Sequence, residues 1–247
     1  NNDIRLFDCI NASRKVAISH SIQSIEKFIR KGQFFAYIKH KPKIVLLSKY
    51  HKENRNYLLR MFGFFNIDWA VDKIFLEADT NANVINNQAI FTSYSDRNLL
   101  LLIKIWKERI FTQNNNIKLL ITPVSADYTK YNIYNRLFSD KSKLVSDILN
   151  SRIYLIPGHK AELYCIAAEE ARELCVPIVT LGIGCLKERV NHGITGLIAK
   201  NEKEFADYTI QLFNDNVLWN NIKKNLLSLR GSKQWKNIAE QFIKNSY

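Results

Sequence analysis

The 247-residue chain carries 36 Lys and Arg against 23 Asp and Glu, a formal charge of +13, and 47% of it is hydrophobic. That length accommodates one large domain or two modest ones, and the apolar content excludes global disorder. No run approaches about 18 uncharged apolar residues, which argues against a membrane-spanning helix, and the basic excess favours anionic partners.

The charge alone names no partner. The aromatic residues do not interleave with the basic ones in an RNA-reading pattern, so nucleic acid is not an expected partner. The richness in Asn, Ile and Lys is what a low-GC coding bias produces. Cys9, Cys165, Cys175 and Cys185 show no Cys-x-x-Cys or other metal spacing. Free thiols in a reducing cytoplasm are the simplest reading. The chain opens Asn1-Asn2-Asp3 without a methionine and shows no secretory signal, so it reads as part of a longer chain or as one trimmed at its start.

In chain order, residues 15–19 form a short apolar run with His20 at its carboxyl end. Residues 22–38 have helical apolar spacing through Ile22, Ile25 and Ile29, then Phe34, Phe35 and Ile38. A strand is expected over 43–47, ending at Ser48, then a helix over 51–62 and a third strand over 71–76. Strand and helix alternate, which predicts an α/β unit. Arg30, Lys31, Lys39, His40, Lys41 and Lys43 surround Phe34, Phe35 and Tyr37. Such a basic amphipathic segment suits an anionic membrane surface; the alternative is that its aromatics face a core and its lysines are solvated. The polar stretch Thr80–Gln88 has the composition of a linker.

Beyond it, strands are expected at 89–92 and 118–122, and helices from Leu99 and over 141–149. Residues 151–197 then read strand, loop, helix, strand, loop, short helix. Ile153–Ile156 and Val176–Thr180 are apolar strands around a helix predicted over 162–174. This is a βαβ pattern with a parallel sheet, whose ligands bind beyond the carboxyl ends of the strands. Seven residues separate Glu162 from Glu170. On one continuous helix the two would share a side. Carboxylates there can accept hydrogen bonds from sugar and ribose hydroxyls, and the helix N-terminus beside Glu162 suits a diphosphate. Solvated helix charges are the plainer reading of the same two residues. Two further amphipathic helices follow, from Glu202 and over 217–229.

The stretch resembles the donor-binding core of the retaining family-four (group 1) glycosyltransferases of GT-B fold. The resemblance rests on the Glu162/Glu170 spacing, on Glu170-Ala171 followed by Val176-Pro177-Ile178-Val179, and on the series Gly182-Ile183-Gly184, Glu188-Arg189-Val190 and His192-Gly193-Ile194-Thr195-Gly196-Leu197. It implies a GT-B-like α/β fold of two Rossmann-like domains with parallel sheets, the N-terminal one truncated by roughly 80–100 residues against a domain of ordinary size. The expected division is 1–80 (partial acceptor-side domain), 81–230 (nucleotide-sugar donor domain) and 231–247 (a helix crossing back to the first domain, with Ser232 and Trp235 near its start). His20 takes the position of the family's active-site His, although a lone His at a strand end is commonly structural.

The implied activity is transfer of a sugar from a nucleoside-diphosphate sugar to an acceptor hydroxyl, on a glycan or lipid-linked acceptor, with retention. The implied catalytic residues are His20 and Glu162. The implied donor-binding residues are Arg97, Lys160, Tyr164, Glu170, Gly184 and Glu188. No cofactor and no metal are expected, and no Asp-x-Asp motif is present. The implied location is cytoplasmic, with peripheral contact to a membrane face. Closure about the 80–88 linker would keep water from the donor.

The pattern also departs from the family. Arg97-Asn98 falls where the family has a diphosphate-binding Lys, and Thr92 falls where it has an Arg. Lys160 is the expected substitute for the missing cation. Glu162-Leu163-Tyr164-Cys165 replaces the family's "E-G-F-G", and Cys175 replaces the Gly before the Pro. These departures leave open a non-catalytic nucleotide-sugar-binding protein, or a degenerate fragment, on the same scaffold.

Overall fold

The structure, a computed structural model, describes residues 3–22, 29–81, 85–137 and 140–246. They form two compact units, one of Asn1–Ala70 with Trp235–Tyr247, the other of Val71–Gln234.

Unit one is built on three parallel strands in the order β1-β2-β3: β1 (Val16–Ile18), β2 (Lys43–Leu46) and β3 (Phe64–Asn66). Val16 lies opposite Lys43, and Ile44 opposite Phe64. Side chains alternate along a strand, and β2 uses both faces. Ile44 and Leu46 pack with Tyr37, Leu59 and Phe62 on one side. Val45 packs with Phe65, Ile67 and Ile238 on the other. The helices are α1 (Gln33–His40), α2 (Lys49–Asn54) and the closing α10 (Trp235–Ser246), which supplies Ile238.

Three expectations are corrected here. The helix expected over 51–62 breaks after α2, because the Asn56 side chain accepts from the Leu58 N–H and starts a separate 3-10 turn, Tyr57–Met61. The strand expected over 71–76 is α3 (Lys73–Glu77), capped by Asp72 through the Ile74 N–H; the third strand is β3, earlier in the chain. Of the helix expected over 22–38, residues 23–28, with Ile25, lie outside the described residues, and α1 begins only after Gly32 at φ +63°. Phe35 and Ile38 of α1 are exposed while Ala36 and Tyr37 are buried, so its aromatics divide between solvent and core.

Unit two is a six-stranded, wholly parallel sheet in the order β6-β5-β4-β7-β8-β9. The strands are β4 (Ile85–Ile90), β5 (Lys118–Ile121), β6 (Ile133–Asn135), β7 (Ser151–Leu155), β8 (Ile178–Thr180) and β9 (Gly196–Ile198). Around them lie α4 (Leu99–Ile105), α5 (Lys141–Leu149), α6 (Ile166–Glu173), α7 (Leu186–Arg189), α8 (Glu202–Asn214) and α9 (Asn216–Leu229). The central β7 is buried along its whole length, and its apolar side chains Ile153, Tyr154 and Leu155 are fully enclosed, as expected for a strand covered on both faces. From β4 the chain builds outward through β5 and β6, then returns to β7 and builds the other way. The strand order therefore reverses between β4 and β7, and a crevice opens at their carboxyl ends.

The units divide at Ala70/Val71, ahead of the polar 80–88 stretch, because α3 packs with α5 and α6 of unit two. Residues 82–84 of that stretch lie outside the described residues. No helix among the described residues is long and apolar enough to cross a membrane.

Candidate donor site at the strand reversal

A cavity of about 400 Å³ sits at the reversal in unit two. The loop after β4 supplies Thr92, Tyr94 and Arg97; the loop after β5, Thr122 and Pro123; the segment after β6, Arg136; and α5, Lys141 and Leu144. The loop after β7 and α6 contribute Glu162, Ile166, Ala167 and Glu170. Every contributing segment follows the carboxyl end of a strand, which is where a doubly wound sheet leaves its backbone groups open to a ligand.

Local chemistry holds the walls together. The Asn98 side chain donates to the Gly158 carbonyl at 2.5 Å, tying the loop after β4 to the loop after β7. Gly184 has φ +71°, and a Cβ there would lie 2.4 Å from the His159 carbonyl and 2.9 Å from that of Glu162. Only glycine permits this approach, and the next amide, Cys185 N–H, donates to the Glu162 carbonyl at 3.1 Å. Glu162 is therefore set by backbone contacts from the 182–185 loop.

The helix expected to carry both glutamates begins four residues late. Glu162 lies in the loop, and Cys165, at φ +62°, turns the chain into α6. The two glutamates reach one cavity because the loop folds back over the start of α6, not because they share a helix face.

Electrostatics distinguish the two carboxyls. Glu162 Oε2 lies 3.5 Å from Arg97 Nε. Burial pushes its proton affinity up, while Arg97 and the Cys165 amide act against that. Glu170 is pushed up from 4.5 to about 7, first by burial; Lys141 favours its ionised form and Asp72 opposes it. Arg136 bonds the buried Asp147 at 3.0 Å, and Lys141 pairs with Asp72. Thr92 Oγ1 is 2.8 Å from the buried Tyr154 hydroxyl. The first turn of α6 adds Ile166 and Ala167, at the helix end whose dipole favours an anion.

Of the residues expected to act, the cavity thus gathers Arg97, Glu162 and Glu170. Lys160 is exposed and is not among the residues lining it; the cations that line it, beyond Arg97, are Arg136 and Lys141. Tyr164 is buried, with the Arg189 guanidinium 4.2 Å from its ring centre. Gly184 acts as a spacer beneath Glu162. Glu188 is exposed on α7. His20 belongs to unit one, exposed at the end of β1 and edge-on to Trp69 with ring centres 5.4 Å apart. Arg136 and Lys141 escape sequence reasoning because β6 is three residues long and Lys141 reads as an ordinary first-turn residue. All four cysteines are free, and burial pushes the Cys185 thiol up to about 12. Among the described residues no group of three or more His, Cys, Asp or Glu is placed to hold a metal ion.

A reversed-order parallel sheet with cations and carboxylates around its crevice defines the class: a doubly wound α/β domain with its candidate site beyond the carboxyl ends of the strands. Residues 124–227 match the model of the family described as glycosyl transferases group 1, which bears out over that stretch the resemblance carried by the Glu162–Leu197 motifs. The match spans β6 to α9. No curated protein matches the chain.

Among solved structures, the chain is similar to TarM of S. aureus in complex with fondaparinux, alpha-GlcNAc-glycerol and UDP (TM-score 0.74, 15% identity, 98% of this chain and 54% of that one). It is similar to the pneumococcal O-GlcNAc transferase GtfA in complex with UDP and GlcNAc (TM-score 0.73, 13% identity, 98% and 53%). It is also similar to a glycosyltransferase from Rickettsia africae (TM-score 0.71, 15% identity, 98% and 72%). At these identities the likeness establishes the fold, that of the GT-B glycosyltransferases. The chain spans about half the length of the TarM and GtfA structures.

Proposed function

We propose that the unit-two cavity binds a nucleoside-diphosphate sugar and that the protein is a retaining hexosyltransferase passing that sugar to an acceptor hydroxyl. The observation that carries this reading is the joint placement of Arg97 with Glu162, and of Glu170 with Lys141, around one cavity that includes the start of α6. Glu162 holds hydroxyls of the sugar, and Glu170 those of the ribose. Arg97 and the α6 amides face the diphosphate and take up its charge as the anomeric C–O bond breaks, the bond to the acceptor oxygen forms and the acceptor hydroxyl's proton passes to the departing diphosphate. Electrostatic help of this kind is worth roughly 10²–10³ in rate per donor group. Such cations and helix amides can neutralise the departing group without a metal ion.

UDP and a GlcNAc-bearing or GlcNAc ligand in the TarM and GtfA structures favour a nucleotide-sugar donor and a glycan or lipid-linked acceptor. His20 would serve on the acceptor side, in unit one. Phe35 and Ile38, exposed on α1 beside Lys31 and Lys41, suit a peripheral contact with an anionic membrane face in the cytoplasm. One observation favours a non-catalytic binder instead: Thr92, bonded to Tyr154, stands on the cavity wall in place of a cation.

The test is release of nucleoside diphosphate from a panel of nucleotide-sugars, with and without glycan acceptors. Transfer or donor hydrolysis that Arg97→Met and Glu162→Gln each lower by about 100-fold or more supports the enzyme. Nucleotide binding with no turnover of any donor supports the binder.

A further inference from the structure

Lys141 and Glu170 line the same cavity from different helices, and α3 packs against both of those helices, α5 and α6. The Lys141 ammonium donates to Asp72 Oδ2. Asp72 is itself fixed, because its Oδ1 accepts the Ile74 N–H at 3.2 Å as the cap of α3. A surface ion pair of this kind contributes little to stability. Its position gives it another role: a cation tethered at a cavity that Glu170 also lines.

The groups facing Glu170 come from every element packed against it. They are Asp72, the cap of α3, Asp140 and Lys141 at the start of α5, Tyr154 of β7, Arg136 after β6, which is itself bonded to Asp147, and, on the same cavity, the Arg97–Glu162 pair. Asp140 is committed to the Lys143 N–H as the cap of α5, Arg97 to Glu162 and Asp96, and Tyr154 is bonded to Thr92. Lys141 and Asp72 are the two that act on Glu170 with opposite sign.

We propose that Asp72 and Lys141 are a positioning pair for Glu170, setting the charge with which this carboxyl meets the hydroxyls of a bound nucleotide. The proposal rests on the cavity being a nucleotide site. A carboxylate accepts from both hydroxyls of a vicinal diol, whereas a carboxylic acid spends one oxygen on its own proton. Lys141 favours the carboxylate; Asp72 draws the ammonium towards itself and tempers that effect. The pair thus places the change in Glu170 where a small displacement of Lys141 alters the grip on the ligand.

Two conservative variants separate the partners. Lys141→Met keeps the length of the side chain. Asp72→Asn keeps the helix cap, since Asn caps as well as Asp. The Glu170 carboxyl, labelled with ¹³C and assigned with Glu170→Gln, is titrated by NMR in the ligand-free full chain. The midpoint rises in Lys141→Met and falls in Asp72→Asn, by about half a pH unit each, below the larger shifts of fully buried pairs. Lys141→Arg returns it towards wild type. Affinity for uridine, guanosine or adenosine diphosphate, measured from pH 5.5 to 8.5, shifts its pH profile in the same directions. Midpoints that stay together, or move the same way in both variants, overturn the pairing. Wild type that binds none of the three at millimolar concentration overturns the nucleotide reading, while the NMR midpoints still decide whether the pair acts on Glu170.

Discussion

Replacing Glu170 by Gln stabilises the protein at alkaline pH. In the fold its carboxyl titrates near 7 instead of 4.5, and each pH unit of that gap corresponds to about 1.4 kcal/mol. Ionising it in place therefore costs on the order of 3 kcal/mol, which solvent at this partly exposed group reduces to about 1–2 kcal/mol. The sign follows from proton counting. Between pH 4.5 and 7 the folded chain holds a proton that the unfolded chain has released, so wild-type stability falls as pH rises through that window and levels off above it. Glu170→Gln fills the same volume without the charge and lacks this slope. Urea unfolding at pH 5 and pH 8 reads the difference. The variant gains about 1–2 kcal/mol over wild type on going from pH 5 to pH 8, and in a separate thermal melt at pH 8 its melting temperature is higher by about 2–8 °C for a unit of this size. An identical pH dependence in the two proteins would refute the placement of Glu170 in a desolvating cavity wall. The same variant weakens nucleotide binding, which is the expected cost when a strained charge serves a ligand.

Acid acts on unit one through His51. Its ring is buried, with Nε2 3.3 Å from Ser19 Oγ and Nδ1 accepting the Leu47 N–H at 3.4 Å, and burial lowers it from 6.5 to about 4. Unit one therefore loses up to about 3 kcal/mol as pH falls from 6.5 to 4, and His51→Asn flattens that limb of the stability–pH curve. Gly184→Ala forces a Cβ into the His159 and Glu162 carbonyls; it costs about 2–4 kcal/mol and weakens nucleotide binding beyond what the loss of folded protein accounts for, measured by calorimetry on the folded fraction. Glu169, 1% exposed, accepts a hydrogen bond from Arg189 at 3.0 Å and has the Arg172 guanidinium 3.0 Å from its other oxygen as an ion pair. Glu169→Gln costs about 3–5 kcal/mol by leaving buried guanidinium charge uncompensated, and adding Arg189→Met recovers part of that loss in the melting temperature.

Much of unit two was legible because its signals are local and repeated. The helix over 141–149 coincides with α5, and the apolar runs before and after α6 are β7 and β8. The short elements were not. Three residues of β6 cannot display a period, and the apolar run of α3 reads equally as a strand until Asp72 caps it. The Glu162 loop was mistaken for helix because a left-handed Cys165 has no signature in side-chain periodicity. Glu162, Glu170 and Arg97 were legible from motif spacing. Arg136 and Lys141 were not, because only the return of the chain from β6 to β7 brings them to the crevice. Lys160 shares the loop of Glu162 and is exposed there.

The most direct test of the donor site is a thermal-shift and calorimetry panel of UDP, GDP, ADP, TDP and CMP with their common sugars, on wild type and Glu170→Ala. Ligand at 100 times its dissociation constant stabilises the folded state by about 2.7 kcal/mol. One nucleotide raises the wild-type midpoint accordingly, and Glu170→Ala abolishes the rise. No stabilisation at millimolar concentration, or a full rise retained in Glu170→Ala, contradicts the cavity as the nucleotide-sugar site.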